Sequence, residues 1–297
     1  MVKRAPRQPS ERLAAALERV RDRTDVGARR AADPVSFVHR FTRDVDQELV
    51  ALLAAAIAFG NVVSIRRSIE DALRRLGGAP SDAIVDLETT QRRLHGFVHR
   101  LLRGDDVARL LFGARTVQRA HGTMGRFFEK TFAENGDLRE SLAILCDRIR
   151  EHGGLVRSPT GRRGPSHVLP DPRGPSANKR LMLFLRWMIR PADGVDLGLW
   201  HVPASALVIP LDTHIQKLSR NLGLTDRRDA SFRTAEEVTR GLAAIDAADP
   251  VKYDFALCHL GMLKRCPSRR DRARCLGCPV KPVCRHWRGA ARHPRVR

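Results

Sequence analysis

An all-α fold is predicted for this 297-residue chain on three observations. Apolar residues recur at helical spacing along most of its length from Leu13 onward; no run of alternating polar and apolar residues bounded by turns is found; and glycines stand just past amphipathic runs, as at Gly60 and Gly77. With 42% hydrophobic residues the chain is long enough to bury a real core, as one large domain or two lobes.

Taken in order, residues 1–12 are polar, basic and proline-containing, and are expected to be unstructured. "DQELVALLAAAIAFG" reads as a buried helix ending at Gly60. "SIRRSIEDALRRLG" is amphipathic, with Ile65, Ile69, Ala72, Leu73 and Leu76 on one face and Gly77 at its end. Further helices are expected within 95–112, 122–133 and 138–152. The segment 158–177, with five prolines and three glycines, breaks the pattern and is read as a functional or mobile loop. "NKRLMLFLRWMI" resumes a helix, with Leu181, Phe184, Leu185 and Met188 on one stripe and Ser176 as the expected cap. In "PLDTHIQKLSRNLGL" Asp212 caps a helix whose stripe is Ile215, Leu218 and Leu222. Cys146, Cys258 and Trp187 read as packed core residues, and Trp200 as core or pocket wall.

The charge is informative. Against 33 Asp plus Glu stand 54 Lys plus Arg, a formal +21 that attracts polyanions, nucleic acid first among them. Between Lys264 and Arg297 lie 12 basic residues and one acid, Asp271, so this stretch holds +11 of the +21. The alternative is a composition rich in arginine throughout, since only seven of the basic residues are Lys. The longest apolar run, Leu49 to Phe59, is too short to cross a bilayer, and no leader-like segment opens the sequence. A soluble cytoplasmic protein without membrane attachment is expected.

In that compartment clustered cysteines are better ligands than staples. Cys266, Cys275, Cys278 and Cys284 follow C-x8-C-x2-C-x5-C, among the basic residues Arg269, Arg270, Arg272 and Arg274. Four thiolates suit a tetrahedral zinc or a [4Fe-4S] cube, and ligand chemistry alone leaves both open.

"CPSRRDRARCLGCPVKPVCRHW" resembles the cluster loop of endonuclease III and the adenine glycosylases, including a proline, Pro279, after the third cysteine; its first gap is two residues longer than theirs. The resemblance implies a [4Fe-4S] cluster, with zinc as the alternative, that pins a basic loop whose Arg269, Arg270, Arg272 and Arg274 meet DNA phosphates. "PLDTHIQKLSRNLGL" is similar to a helix start of the same superfamily, the helix-hairpin-helix DNA glycosylases, and implies that Asp212 is the catalytic carboxylate. Where such enzymes use a lysine to attack the sugar, it precedes that aspartate, and Lys179 is the matching residue. Beside Arg180 and at the positive end of a helix dipole, a lysine there is disposed towards the neutral amine a nucleophile needs.

There are departures. "LPDPRGPSANKR", 169–180, is at best a remodelled hairpin, and the 33-residue interval from Lys179 to Asp212 exceeds that of endonuclease III. The archaeal 8-oxoguanine glycosylases are the nearer analogue for this half. The whole combination, with "DGVDLGLW" and "DPVKYDFALCHLG", is similar to a bacterial family classed as a domain of unknown function.

The resemblance implies two lobes: an inserted helical bundle, 46–200, carrying the remodelled hairpin, and a terminal-segment lobe, 13–45 plus 201–297, carrying the cluster loop 266–284. It implies a nucleoid-associated, monomeric base-excision glycosylase with AP lyase activity, flipping a damaged base, with an oxidised purine as the substrate the analogy suggests first, out of double-stranded DNA. Arg173, Arg180 and Asn61 join the expected DNA contacts; Phe59 and Asn61 fall near where relatives fill the gap left by the extruded base. The alternatives are a non-catalytic DNA-binding protein on this fold and a monofunctional glycosylase in which Asp212 activates water.

Overall fold

The computed structural model describes residues 11–156, 161 and 163–288. Helices dominate: α1 (Glu11–Asp22), α2 (Val26–Ala32), α3 (Asp44–Ala56), α4 (Val62–Leu76), α5 (Pro80–Ala83), α6 (Leu87–Arg93), α7 (Gly104–His121), α8 (Met124–Asn135), α9 (Leu138–Gly153), α10 (Gly164–Val168), α11 (Lys179–Ile189), α12 (Thr213–Leu222), α13 (Phe232–Ala243) and α14 (Asp254–Lys264). Short 3₁₀ turns span Pro34–Arg40, Ala204–Ala206 and Lys281–Val283. Among the described residues, strand is confined to β1 (Val98–His99) and β2 (Leu102–Arg103), an antiparallel pair. The all-α class is what the structure has, and no helix among the described residues is long and apolar enough to cross a membrane.

By contact the chain divides into two units. One holds the described residues up to Asp25, Pro175–Met182, and those from Pro203 on; the other holds Val26–Gly174 and Leu183–Val202. The division departs from the expected boundaries at 26–45, at 175–182 and, by two residues, at 201–202, which belong with the bundle. Residues 26–45 belong with the bundle, because the 3₁₀ turn at Pro34–Arg40 buries Val35, Phe37 and Val38 and packs on α3 and α4. Pro175–Met182 belongs with the terminal segments, because Ala177 N donates to Ala230 O at 3.0 Å and Phe232 N to Pro175 O at 2.9 Å. Of the segment 1–12, Glu11 and Arg12 already belong to α1, and the rest lies outside the described residues.

Within the bundle, α3 is buried on nearly all sides, as its apolar sequence requires. It ends at Ala56, short of Gly60. α4 buries the five predicted residues and stops at Gly77, whose φ of +84° suits glycine. The helix expected from 95 starts only at Gly104, because β1, a turn through Arg100 in the left-handed region and β2 come first. α7 and α9 approach closely at two glycines: a Cβ on Gly113 would lie 2.1 Å from Ile149 O, and one on Gly153 2.2 Å from Arg109 O.

Glu48, buried on α3, accepts from Gln118 Nε2, Met124 N, Gly125 N and Trp200 Nε1, each at 2.8 Å. Trp200 is therefore a core residue, like Trp187. Cys146 is also core, its thiol pushed up to about 12 by burial.

In the other unit α14 lies against α1 and α12. Tyr253 Oη donates to Glu18 Oε1 at 2.6 Å, and Lys252 Nζ meets Glu18 at 3.0 Å and Asp246 at 2.6 Å. Gly261 lets α14 approach α12, since its Cβ would stand 3.0 Å from His214 Cβ.

Candidate metal centre and carboxylate on one helix

The terminal-segment unit builds both predicted sites around α12. At its head Asp212 is the N-cap: Oδ1 accepts from His214 N at 2.8 Å and Ile215 N at 2.7 Å. Its second oxygen, Oδ2, meets the Cys258 thiol of α14 at 3.5 Å. The cap fixes the carboxylate's direction while Oδ2 takes no part in capping. Cys258, expected in the core, is half-buried at this carboxylate instead, because α14 turns that face towards the head of α12.

Lys179 opens α11 in the same unit. Its cap is not Ser176: Met182 N bonds to Asn178 O at 3.0 Å, which makes Asn178 the residue before the first turn, and Ser176 Oγ accepts from Asn178 N at 3.2 Å. Asn178 stands at φ +49°, a conformation asparagine tolerates better than most residues. A run of hydrogen bonds links this segment to α12. Gln216 Nε2 donates to Arg228 O at 2.8 Å and Asp229 O at 2.6 Å, and residues 230–232 then pair with 175–177. Asp229 is held well below the usual carboxylate range by the Ser231 and Thr234 hydroxyls, which stiffens this connection. The lysine and aspartate segments are thus laced into one unit.

At the other end of α12 lies the cysteine loop. It is a succession of turns hinged on cysteines: Cys275 N bonds to Asp271 O, Cys278 N to Cys275 O, Lys281 N to Cys278 O, Cys284 N to Lys281 O and Trp287 N to Cys284 O. Gly277, at φ +64°, supplies the left-handed step inside C-x2-C. All four cysteines are free thiols and line one small cavity of about 20 Å³, with Leu218 and Asn221 of α12 and with His286 and Trp287. Burial pushes the Cys266, Cys278 and Cys284 thiols up, while Asn221 Nδ2 at Cys266 and the amides of Val280 and His286 at the other two act in the opposite sense.

No group of three or more His, Cys, Asp or Glu side chains among the described residues is assembled as a metal-ion site; what the thiols share is a cavity. The donor set nonetheless suits a soft, positively charged centre, which would favour the thiolate form that burial opposes. Two further atoms fit it. His286 Nε2 and Trp287 Nε1 are buried in residues lining this cavity and have no hydrogen-bond partner among the described residues. A buried donor left so costs about 1–3 kcal/mol, and sulfur acceptors would relieve it.

The arginines separate into two kinds. Arg269 and Arg272 are exposed and have no partner among the described residues. Arg270 donates to His286 O at 2.9 Å and lies over the Trp287 ring, and Arg274 pairs loosely with Asp271 at 3.5 Å. Arg173, in the bundle, is committed to Glu140 and Asp147 by bonds of 2.7 and 2.8 Å, which hold its guanidinium charged and occupied. Arg180 is half-buried, and burial draws its guanidinium down to about 10. Asn61 is the N-cap of α4, its Oδ1 accepting from Val63 N at 2.8 Å, and the neighbouring Phe59 packs edge-on against His99 and His167.

Reasoning on the sequence missed Asn221, His286, Trp287 and the place of Cys258. The last two of the loop could have been suspected from their nearness to Cys284; Asn221, 45 residues before Cys266, carried no signal.

Against known families, the family model described as "Protein of unknown function (DUF2400)" matches residues 33–263. The chain belongs to that family. The match takes in Lys179, Asp212, Asn221 and Cys258 and ends before Cys266, so the DUF2400 span covers the head of the site and the cysteine loop follows it. No curated protein and no solved structure matches.

Proposed function

We propose that this protein is a DNA base-excision glycosylase that removes a damaged base flipped from duplex DNA and cleaves the strand through a Schiff base on Lys179. The observation that carries the reading is the double use of α12. Its head fixes the Asp212 carboxylate with Oδ2 outside the cap, and its tail meets the cysteine loop from which Arg269 and Arg272 stand exposed. A fixed anion at the head of α12 and a basic loop tied to its tail suit a reaction in which a sugar becomes cationic while its phosphates are held.

In the reaction so read, the neutral Lys179 amine attacks the sugar C1′ as the C1′–N bond breaks. The base leaves with the bonding pair and takes up a proton. Loss of a proton from nitrogen, with opening of the sugar ring, gives the imine; removal of a C2′ proton then expels the 3′ phosphate. Asp212 stabilises the positive charge that develops on the sugar. An oxidised purine is the first substrate to test, by likeness to the archaeal 8-oxoguanine glycosylases. Cys266, Cys275, Cys278 and Cys284 would hold a [4Fe-4S] cluster, or zinc in its place; when bound, the centre supplies structural pinning of the basic loop rather than base-removing chemistry.

The test is reduction by borohydride in the presence of duplexes that each carry one lesion. A covalent protein–DNA complex should form with wild-type protein and be lost in Lys179→Gln, while DNA binding persists. Asp212→Asn should lower turnover far more than binding, because Asn caps nearly as well but carries no charge. Trapping that survives Lys179→Gln moves the nucleophile to another amine. Base release without trapping favours water activated by Asp212, and a protein that binds DNA but releases no base from any lesion is a non-catalytic binder.

A further inference from the structure

Asn221 lies on the last turn of α12, buried, and touches the cysteine loop at both ends. Its Nδ2 donates to Cys266 Sγ at 3.2 Å and to Pro267 O at 3.2 Å, where the loop begins. Its main-chain O accepts from Arg285 N at 2.7 Å, directly after Cys284, where the loop ends. The amide's orientation is dictated by its partners: a carbonyl only accepts, so the nitrogen and not the oxygen must face Pro267 O, and the same nitrogen then faces the sulfur. Gly223, at φ +85°, closes the helix just beyond, leaving room for the Arg285 side chain, which pairs with Asp226.

We propose that Asn221 is the positioning residue of the metal centre, tying both ends of the cysteine loop to α12 and donating a hydrogen bond to the Cys266 thiolate, with the Trp287 indole N–H as a second donor towards the sulfurs. The inference rests on the reading of the four cysteines as metal ligands. Its physical content is twofold. A sulfur that accepts a hydrogen bond carries less charge, which eases reduction of a cluster bound to it. A ligand whose partner is lost is no longer held in place, which weakens the metal's retention. Trp287 suits the second role. Its ring is flanked by Arg270 at 4.8 Å and Lys281 at 4.4 Å, so its position is fixed, and its buried nitrogen belongs to a residue lining the thiol cavity.

The experiment compares full-length wild type, Asn221→Ala, Asn221→Asp and Trp287→Phe, purified anaerobically. Metal, iron and inorganic sulfide per chain, the rate of loss to a chelator and, where iron is present, the midpoint potential are measured, with thermal unfolding as a check on folding. Asn221→Ala should release its metal on the order of tenfold faster, the lower end of the usual effect of removing such a partner. Asn221→Asp should be worse than Ala although it matches Asn in shape, because a carboxylate cannot donate and repels a thiolate. Trp287→Phe should keep the metal and, with a cluster, shift the midpoint potential to more negative values. Equal retention in all four proteins with an unchanged potential overturns the inference while leaving the metal reading intact, and so does a ranking in which Asp retains metal better than Ala. A wild-type protein that binds neither iron nor zinc sinks both together. With zinc bound, the chelator ranking alone decides.

Discussion

Glu48 and Asp212 show how differently one fold can treat two carboxylates. Asp212 is half-exposed and tied by backbone amides of its own helix. Glu48 is buried, and burial pushes its carboxyl up from the ordinary 4.5 even though Gln118, Met124, Gly125 and Trp200 all donate to it. A folded-state value above the unfolded one means the folded protein holds the proton more tightly. The stabilisation this brings is fully present below pH 4.5 and is lost as the pH rises through the higher folded value. Glu48→Gln should therefore flatten the fall in unfolding free energy on going from pH 4.5 upward, measured by urea titration. Glu48→Ala, which strips four buried neutral donors of their acceptor, should lose at least about 1–3 kcal/mol, the cost of leaving a buried donor unpaired. A loss below about 1 kcal/mol would show that water replaces the carboxylate without cost.

Among the elements, α7 and α9 make the sharpest prediction. In an ordinary helix interior, replacing Gly with Ala gains about 1 kcal/mol from propensity. At Gly113 the new Cβ would stand 2.1 Å from the main-chain Ile149 O, which cannot rotate away. Overpacking of this kind costs about 1–3 kcal/mol, so Gly113→Ala should destabilise the protein despite the propensity gain. Thermal unfolding checks the sign: a raised midpoint would mean that the two helices separate freely at this point. α12 is the counterpart in the other unit. At ten residues it is about 15 Å long, so whatever ties the cysteine loop at Asn221 also fixes the far end of the helix that presents Asp212.

For the whole molecule the governing quantity is charge. A net +21 attracts any polyanion, but not every arginine offers an open charge: Arg173 is paired with Glu140 and Asp147. On the proposed function, Arg269 and Arg272, exposed and without partners among the described residues, are the arginines of the cysteine loop open to a phosphate. Arg269→Ala with Arg272→Ala should weaken binding to damaged and undamaged duplex alike. The slope of log affinity against log salt should fall by about 0.9 for each contact removed. Arg173→Ala should leave that slope unchanged and act, if at all, on stability. The reverse pattern would mean that the bundle, and not the cysteine loop, carries the contact.

The sequence by itself determined the helical class, the faces of α4 and α12, the capping role of Asp212 and the grouping of four thiols, because each is written in spacings of a few residues; α11, predicted with one apolar stripe, is buried on nearly all sides. Helix caps, apolar stripes and C-x2-C turns are local and need no knowledge of the rest of the chain. Tertiary structure decided what lies far apart in the chain. The short β1–β2 pair was too brief to show alternation. Arg173 looked open until Glu140 and Asp147 of α9 came beside it, and Cys258 looked like core until α14 turned it towards Asp212. Asn221 met Cys266 only because α12 and α14 pack together, at a contact that Gly261 keeps close. Such pairings follow from how helices pack on one another, and sequence periodicity says which face a helix buries without saying which partner it buries it against.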